Sequence, residues 1–325
     1  MSDDADKGVA GDWRPSAGLG ALRDRARLLA LIREFFAERG VLEVETPAMS
    51  HAGASDIHIA SLATHARDGR RLYLQTSPEF AMKRLLAAGS GPIYQVCRAF
   101  RDGESGRLHN QEFTLLEWYR PDFDEHALMD ELDALLIRLL GTGSSTRRMT
   151  YRQACVEFGD FDPFEASTPM LLEHAGGRGL RVAQEDAGER DLLLDFLFSH
   201  VVQPALQGRV FVHDYPASQA ALARVRASQP PVAERFELFL DGIEIANGYH
   251  ELADAVEQRR RFNADGRARE DRGLEQMPMD ERLIAALEHG LPDCAGVAVG
   301  LDRLFMIAAG ETGIEAVIAF PTSRA

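Results

Sequence analysis

Two arginines, a histidine, an asparagine and two glutamates fall within the twelve residues from Arg101 to Glu112, immediately before Phe113. Guanidinium groups meet phosphate oxygens through forked hydrogen bonds, and an aromatic face stacks on a base or under a cation. Arg101, Arg107 and Phe113 therefore suit a nucleotide; taken alone, the stretch is equally compatible with a solvated loop. A second set comprises Glu237, Glu244, Asn247 and Glu251, with Asp241-Gly242 between the first two. An Asp-Gly pair between β-rich runs makes a hairpin turn, across which Glu237 and Glu244 would face each other. Such a pair is costly unless a hard cation such as Mg²⁺ neutralises it; the alternative is two exposed acids on a polar face. The third set is Gly296-Val297-Ala298-Val299-Gly300-Leu301-Asp302-Arg303. Its small residues let a ligand approach the backbone, and Arg303 in the first turn of the next helix opposes the helix dipole, which fits an anionic ligand. A core strand followed by a surface arginine is the other reading.

The elements that must position these residues can be read from periodicity. Residues 1–20 are rich in Gly, Asp and Ala and read as a flexible start. Helical spacing runs from Leu22 to a C-cap at Gly40, followed by a strand over 41–47 that Pro47 ends. Strands are expected over 57–62 and 71–75, then a helix with Ser77 as N-cap and Pro78 in its first turn. Residues 93–100 and 112–120 form a hairpin around the long polar loop RDGESGRLHN. From about 124 to 206 the pattern is mostly helical and reads as an insertion. Strands return over 209–213, 235–240 and 242–246, followed by a charged helix over 252–272, a helix over 281–288, a strand over 295–299 and a helix from Gly300. Within the charged helix, Arg259-Arg260-Arg261 reads as a solvated face. Hairpins with helices between and after them imply an α+β fold on a mainly antiparallel sheet flanked by helices. Neither a GxxxxGK[ST] loop nor an early GxGxxG is present, so ATP, if used, is held differently.

Composition narrows the partners. In 325 residues, 45% hydrophobic and 27% charged content is that of a globular protein, and no run approaches the length needed to cross a bilayer. The first twenty residues lack a secretory core, so no membrane association and a cytoplasmic location are expected. A net charge of −15 repels polyphosphate backbones and argues against a stable nucleic-acid partner. Cys97, Cys155 and Cys294 are odd in number and far apart, which fits core fillers rather than disulfides or a zinc site.

In order and spacing, GVLEVETPAMS at 40–50, FRDGESGRLHNQEFTLLEWY at 100–119 and GVAVGLDRL at 296–304 resemble motifs 1, 2 and 3 of the class II aminoacyl-tRNA synthetases, specifically the lysine type. The resemblance runs from Leu22 to the C-terminus and implies that residues 21–325 form one synthetase-like catalytic domain. Only about 40 residues precede motif 1, too few for an anticodon-reading domain to fold alone. WYRPDFDEHALMDELD and YPASQAALA resemble the free-standing branch that ligates lysine to elongation factor P. That resemblance implies ATP-dependent activation of (R)-β-lysine and transfer to a lysine ε-amine of elongation factor P. A truncated enzyme charging tRNA and a non-catalytic regulatory paralogue are the alternatives.

The resemblance also implies roles for individual residues. Arg101 holds the α-phosphate, Arg303 grips the γ-phosphate and Phe113 stacks on adenine, with Asp102, Gly103, Glu104, Asn110, Glu112, Ile245 and Gly300 around the nucleotide. Glu237 and Glu244 hold Mg²⁺. Ser77, Pro78 and Glu79 belong to the substrate pocket, where Glu79 takes the amino group nearer the substrate carboxylate, Glu251 and Tyr119 take the distal one, and Ala298 shapes the pocket where glycine is common. Two positions depart from the motif: Gly103 stands where glutamate is usual, with Glu104 one step later, and Gln111 stands where proline is usual. Motif 1 around Pro47 implies a two-fold homodimer.

Overall fold

The computed structural model describes residues 13–141, 146–183 and 187–325. The first helix, α1 (Leu19–Ala37), buries Leu28, Ile32, Phe35 and Phe36, which recur at the three- and four-residue spacing of one helix face. It stops at Gly40, whose φ of +64° suits glycine. Gly40 N–H donates to Ala37 O and Val41 N–H to Phe36 O, the two bonds of a Schellman cap. The helix starts earlier than the periodicity implies because the chain before it is anchored. Ser16 N–H donates to Ala319 O, its hydroxyl donates to Ile318 O, and Ala17 is buried. The flexible start expected over residues 1–20 is thus not found at Ser16 and Ala17; residues 1–12 lie outside the described residues.

The remaining elements follow in chain order: β1 (Leu42–Glu43), β2 (Met49–Ser50), β3 (Ala63–His65), β4 (Arg71–Leu74), α2 (Glu79–Ala87), β5 (Ile93–Phe100), β6 (Glu112–Pro121) and α3 (Glu125–Leu140). Then come β7 (Thr146–Thr150), α4 (Tyr151–Ala154), α5 (Thr168–Gly177), α6 (Arg190–Leu197), β8 (Arg209–Pro216), β9 (Val225–Arg226), β10 (Val232–Leu240) and β11 (Ile243–His250). The chain closes with α7 (Ala255–Asp271), α8 (Glu281–Gly290), β12 (Cys294–Gly300) and α9 (Leu301–Ala308). No helix among the described residues is long and apolar enough to cross a membrane.

The fold is α+β. Its main sheet runs β1-β5-β6-β12-β11-β10-β8-β7, with β9 on β10; only the outer pairs β1–β5 and β7–β8 are parallel. Alternation divides the sheet into two faces. Leu116, Trp118, Val297, Val299 and Phe236 pack with α1, α3 and α9 in the principal core, while Glu117, Tyr119, Gly296, Ala298 and Asn247 face a cleft.

Two expectations are corrected. Residues 57–62 form no strand: Asp56 Oδ1 accepts from His58 N–H in a local turn that competes with strand pairing, which begins at Ala63. The strand expected over 41–47 reduces to the two-residue β1 at the sheet edge. The stretch from 124 to 206 is mostly helical, with β7 as its strand, paired in parallel with β8 at the far edge of the sheet. Moreover, α3 belongs to the principal core, so a separate second core begins with Met149 and Tyr151 and includes α5 and α6.

Candidate active site

A cavity of about 2080 Å³ opens over the centre of the sheet. Its inner end lies between α2 and the strands β6 and β12. Ser77 turns the chain into α2: its hydroxyl accepts from Glu79 N–H (3.0 Å) and donates to Glu117 Oε2 (2.7 Å). Glu117 Oε1 accepts from the Tyr119 hydroxyl (2.7 Å), two residues along the same face of β6. Lys83, one turn after Glu79, places Nζ 2.6 Å from Glu79 Oε1 and 2.6 Å from Glu251 Oε2. Burial and the nearby Glu79 charge push the Glu117 carboxyl up to about 7. Burial also raises Glu251, to about 8, against the pull of Lys83. Tyr119 is held well above its ordinary value by burial and the Glu117 charge, and so stays a neutral donor. Gly296 is what lets these groups meet: a Cβ there would lie 2.3 Å from the Tyr119 ring and 2.5 Å from Glu251 Oε1. Ala298 is two residues further along the same strand face.

The other end of the cleft is cationic. The Arg101 guanidinium lies 5.1 Å over the Phe113 ring and 3.5 Å from Glu104, and its buried Nε has no partner. A buried unsatisfied donor in a cleft wall calls for an acceptor from a ligand. Arg303 is fixed by backbone, donating from Nη1 to Glu244 O (2.9 Å) and from Nε to Leu108 O (3.2 Å). Its Nη2 lies 2.7 Å from His109 Nε2. Burial and the Arg303 charge lower the His109 pKa, so a neutral imidazole accepts that bond. Asp302, buried beside it, anchors the start of α9 by accepting from Thr114 N–H (2.8 Å) and Arg25 Nη1 (2.6 Å).

Between the two ends lie Glu237 and Glu244. They do not stand opposite each other: Glu237 pairs with Asn247 and Glu244 with Phe239, because the register shifts between Leu238 and Phe239. Both still line the cleft, and burial together with the Glu244 charge raises Glu237. Glu237 is held by Arg235 Nη2 (2.5 Å), and Asn247 Nδ2 lies 3.5 Å from Glu237 Oε1, which leaves Asn247 Oδ1 buried without a partner. Arg235 at 2.5 Å from Glu237 and Arg303 at 3.6 Å from Glu244 already face these carboxylates; what is left unpartnered is Asn247 Oδ1, an oxygen donor of the kind Mg²⁺ takes.

The cleft thus gathers Ser77, Pro78, Glu79, Arg101, Glu104, Asn110, Phe113, Tyr119, Glu237, Glu244, Ile245, Glu251, Ala298, Gly300 and Arg303. It does not gather Asp102, Gly103 or Glu112. Asp102 turns into its own loop, where Oδ1 accepts from Gly103 N–H (2.9 Å). Glu112 pairs with Arg98 on β5 (3.5 Å), on the strand face opposite Phe113. Asn110 lines the wall with its amide engaged, donating to Glu112 O (2.6 Å) and accepting from Thr322 N–H (3.0 Å). Sequence reasoning missed Glu117, Lys83 and Arg235. Alternation from Phe113 through Leu115 to Glu117 and Tyr119, and the i,i+4 spacing of Glu79 and Lys83, were the available signals. Arg259-Arg260-Arg261 is a paired face rather than a phosphate grip: Arg259 meets Glu281, and Arg260 and Arg261 meet Glu257. Outside the cleft, Glu125, Glu234 and His250 bring possible ligand atoms within 4.8 Å of one another. There Arg226 already lies 3.3 Å from Glu125 and 3.5 Å from Glu234, so the chain supplies the cation itself.

The family model described as tRNA synthetases class II (D, K and N) matches residues 12–324. The chain is 53% identical over 322 residues to the elongation factor P–(R)-β-lysine ligase of Vibrio cholerae, covering 97% of this chain and 99% of that protein. It is 52% identical over 321 residues to the protein of the same name from Yersinia enterocolitica, covering 96% and 98%. With the Edwardsiella ictaluri protein, also of that name, it shares 50% identity over 320 residues, covering 96% and 98%. Sheet topology, a cleft acidic at one end and cationic at the other, and a match over nearly the whole length agree: the chain belongs to the class II tRNA synthetases (D, K and N) and is a ligase of that family.

Proposed function

We propose that the chain activates (R)-β-lysine with ATP as an aminoacyl-adenylate and transfers the lysyl group to a lysine ε-amine of elongation factor P. The observation that carries this reading is the inner end of the cleft. Glu79, Glu117 and Glu251 converge there beside the Tyr119 hydroxyl, a set suited to two substrate ammonium groups, which demand carboxylate partners when buried. The names of the relatives supply the acceptor and the isomer.

In the first step the substrate carboxylate attacks the α-phosphorus, forming the acyl-phosphate bond as the bond to pyrophosphate breaks. Arg101, with its unpartnered Nε, would hold the α-phosphate and stabilise the charge that develops there. Arg303, fixed by two backbone carbonyls, would grip the γ-phosphate, and Phe113 would stack on adenine, with Glu104 substituting for the usual motif 2 glutamate. Glu237, Glu244 and Asn247 would hold Mg²⁺, which supplies charge neutralisation on the phosphates when bound. Glu79 would take the amino group nearer the carboxylate, and Glu251 with Tyr119 the distal one. In the second step the neutral acceptor amine attacks the carbonyl, an amide forms as the acyl-phosphate bond breaks, AMP leaves with the bonding pair and the amine's proton passes to solvent. Leu42 and Met49, both exposed beside Pro47, support a homodimer built on motif 1.

The test offers ATP, Mg²⁺ and labelled (R)-β-lysine or α-lysine to the enzyme, with elongation factor P and tRNA in parallel. Stable label on the factor is expected. Label on tRNA would overturn the acceptor, and pyrophosphate release with neither labelled would leave an adenylating enzyme with a different partner. Arg101→Ala and Arg303→Ala are each expected to lower kcat for adenylation about 10²- to 10³-fold.

A further inference from the structure

Lys83 is nearly inaccessible, with 2% of its side chain exposed. Its ammonium bridges Glu79 and Glu251, the two carboxylates assigned above to the two amino groups of the substrate. Around it lie Glu79 on α2, Glu117 and Tyr119 on β6, Glu251 just after β11 and Cys294 on β12, while α8 packs apolar side chains against α2. Burial pulls the Lys83 pKa down, but its two carboxylate partners more than offset this and hold it above its ordinary value, so it stays charged. Fully ionised, three carboxylates against one ammonium carry two negative charges, a state that two bound ammonium groups would favour over the raised carboxyl values of the empty pocket. A diamino acid joined to AMP through its carboxylate presents two ammonium groups and no carboxylate on its lysyl part, so the charges match. Without Lys83 a third negative charge would be buried with nothing to meet it. Burial and the Glu79 and Glu117 charges already raise Glu251 to about 8 against the pull of Lys83; without that pull it would rise further and hold its proton against the distal ammonium.

We propose that Lys83 is a positioning residue that holds Glu79 and Glu251 as a pair and sets the amino-acid pocket at two negative charges, the complement of a doubly cationic substrate. This rests on the lysine-ligase reading, and the experiment separates the two. ATP–pyrophosphate exchange driven by (R)-β-lysine is measured for the full chain and for Lys83→Met, at about pH 7 and about pH 9. Thermal melting reports whether each variant folds. The native chain is expected to support exchange at both values. In Lys83→Met, KM for (R)-β-lysine is expected to rise about ten- to a hundredfold at the lower pH with kcat changing far less. That penalty should shrink at the higher pH as Glu251 ionises. The charge-balanced Lys83→Met/Glu251→Gln variant guards against misfolding of the single variant. It should melt nearer the native chain and keep a high KM that does not recover with pH. A folded Lys83→Met with native KM, or a KM defect indifferent to pH, would overturn the role of Lys83; a double variant with native KM would overturn the assignment of Glu251 to the distal amino group, and with it the pairing proposed for Lys83. No (R)-β-lysine-dependent exchange by the native chain would overturn the functional reading and this inference with it.

Discussion

Replacing Gly296 by alanine tests the pocket geometry with a single methyl group. Gly296 pairs with Tyr119 on β6 and with Tyr249 on β11, in the middle of the cleft face. A Cβ there would sit 2.3 Å from one Tyr119 ring carbon, 2.4 Å from another and 2.5 Å from Glu251 Oε1. Carbon contacts settle near 3.5 Å, so the ring must move by about 1 Å. The Tyr119 hydroxyl bond to Glu117, 2.7 Å long, cannot survive that displacement unchanged. Loss of one hydrogen bond to a charged group is worth about 1.5–3 kcal/mol, or roughly ten- to a hundredfold in affinity. The overpacking itself costs stability by about 1–3 kcal/mol. The assay is ATP–pyrophosphate exchange with (R)-β-lysine titrated at saturating ATP, with a melting curve alongside. KM for the amino acid should rise by that factor while KM for ATP stays within about twofold, because Arg101 and Arg303 stand at the other end of the cleft. A native KM for (R)-β-lysine in a folded Gly296→Ala chain would refute the claim that Tyr119 and Glu251 form the amino-acid pocket.

Ala298→Gly removes a methyl group from the same strand face and should move relative kcat/KM toward α-lysine by up to about tenfold; an unchanged ratio in competition assays would remove Ala298 from the specificity argument. Burial pushes Asp195 up to about 7, so the folded chain keeps a proton that the unfolded chain sheds near pH 4. Stability from this group therefore falls as pH rises from about 4 to about 7. Asp195→Asn should flatten that slope and melt above the native chain at about pH 8, and a lower melting temperature there would contradict the assignment. Asp302→Asn leaves Arg25 without its carboxylate and should cost about 3 kcal/mol in denaturant unfolding, against an expected change near zero if the anchor were incidental.

Local chemistry made much of this architecture legible. The cap at Gly40, the hairpin of β5 and β6, the Asp241-Gly242 turn and the small-residue strand before Arg303 are each written in a few consecutive residues, and each appears in the structure. What misled was competition between local and long-range terms. Residues 57–62 have strand composition, but Asp56 captures the His58 N–H within the turn. TRRMT has no strand pattern strong enough to stand out, and β7 exists because β8 offers it a parallel edge. The expected opposition of Glu237 and Glu244 failed through one register shift, a feature that turn chemistry does not announce.

The site shows the same division more sharply. Arginines and an aromatic beside a polar loop suggest a phosphate-binding end in the sequence itself, although taken alone the stretch reads equally as a solvated loop. The acidic end is only half announced: Glu79, Glu251 and Tyr119 come from the resemblance, whereas Lys83, one helical turn after Glu79, and Glu117, a polar position in a half-buried strand, do not stand out. Their meaning depends on Glu251, 168 positions from Lys83 in the chain, and on a glycine strand that lets β6 and β12 bring a tyrosine and a carboxylate together. A buried ammonium between two carboxylates is also costly unless it does something that an apolar pair cannot, since such pairs are often no more stable than hydrophobic replacements. Stability gives this chain little reason to keep Lys83; the doubly cationic substrate proposed above would give it one.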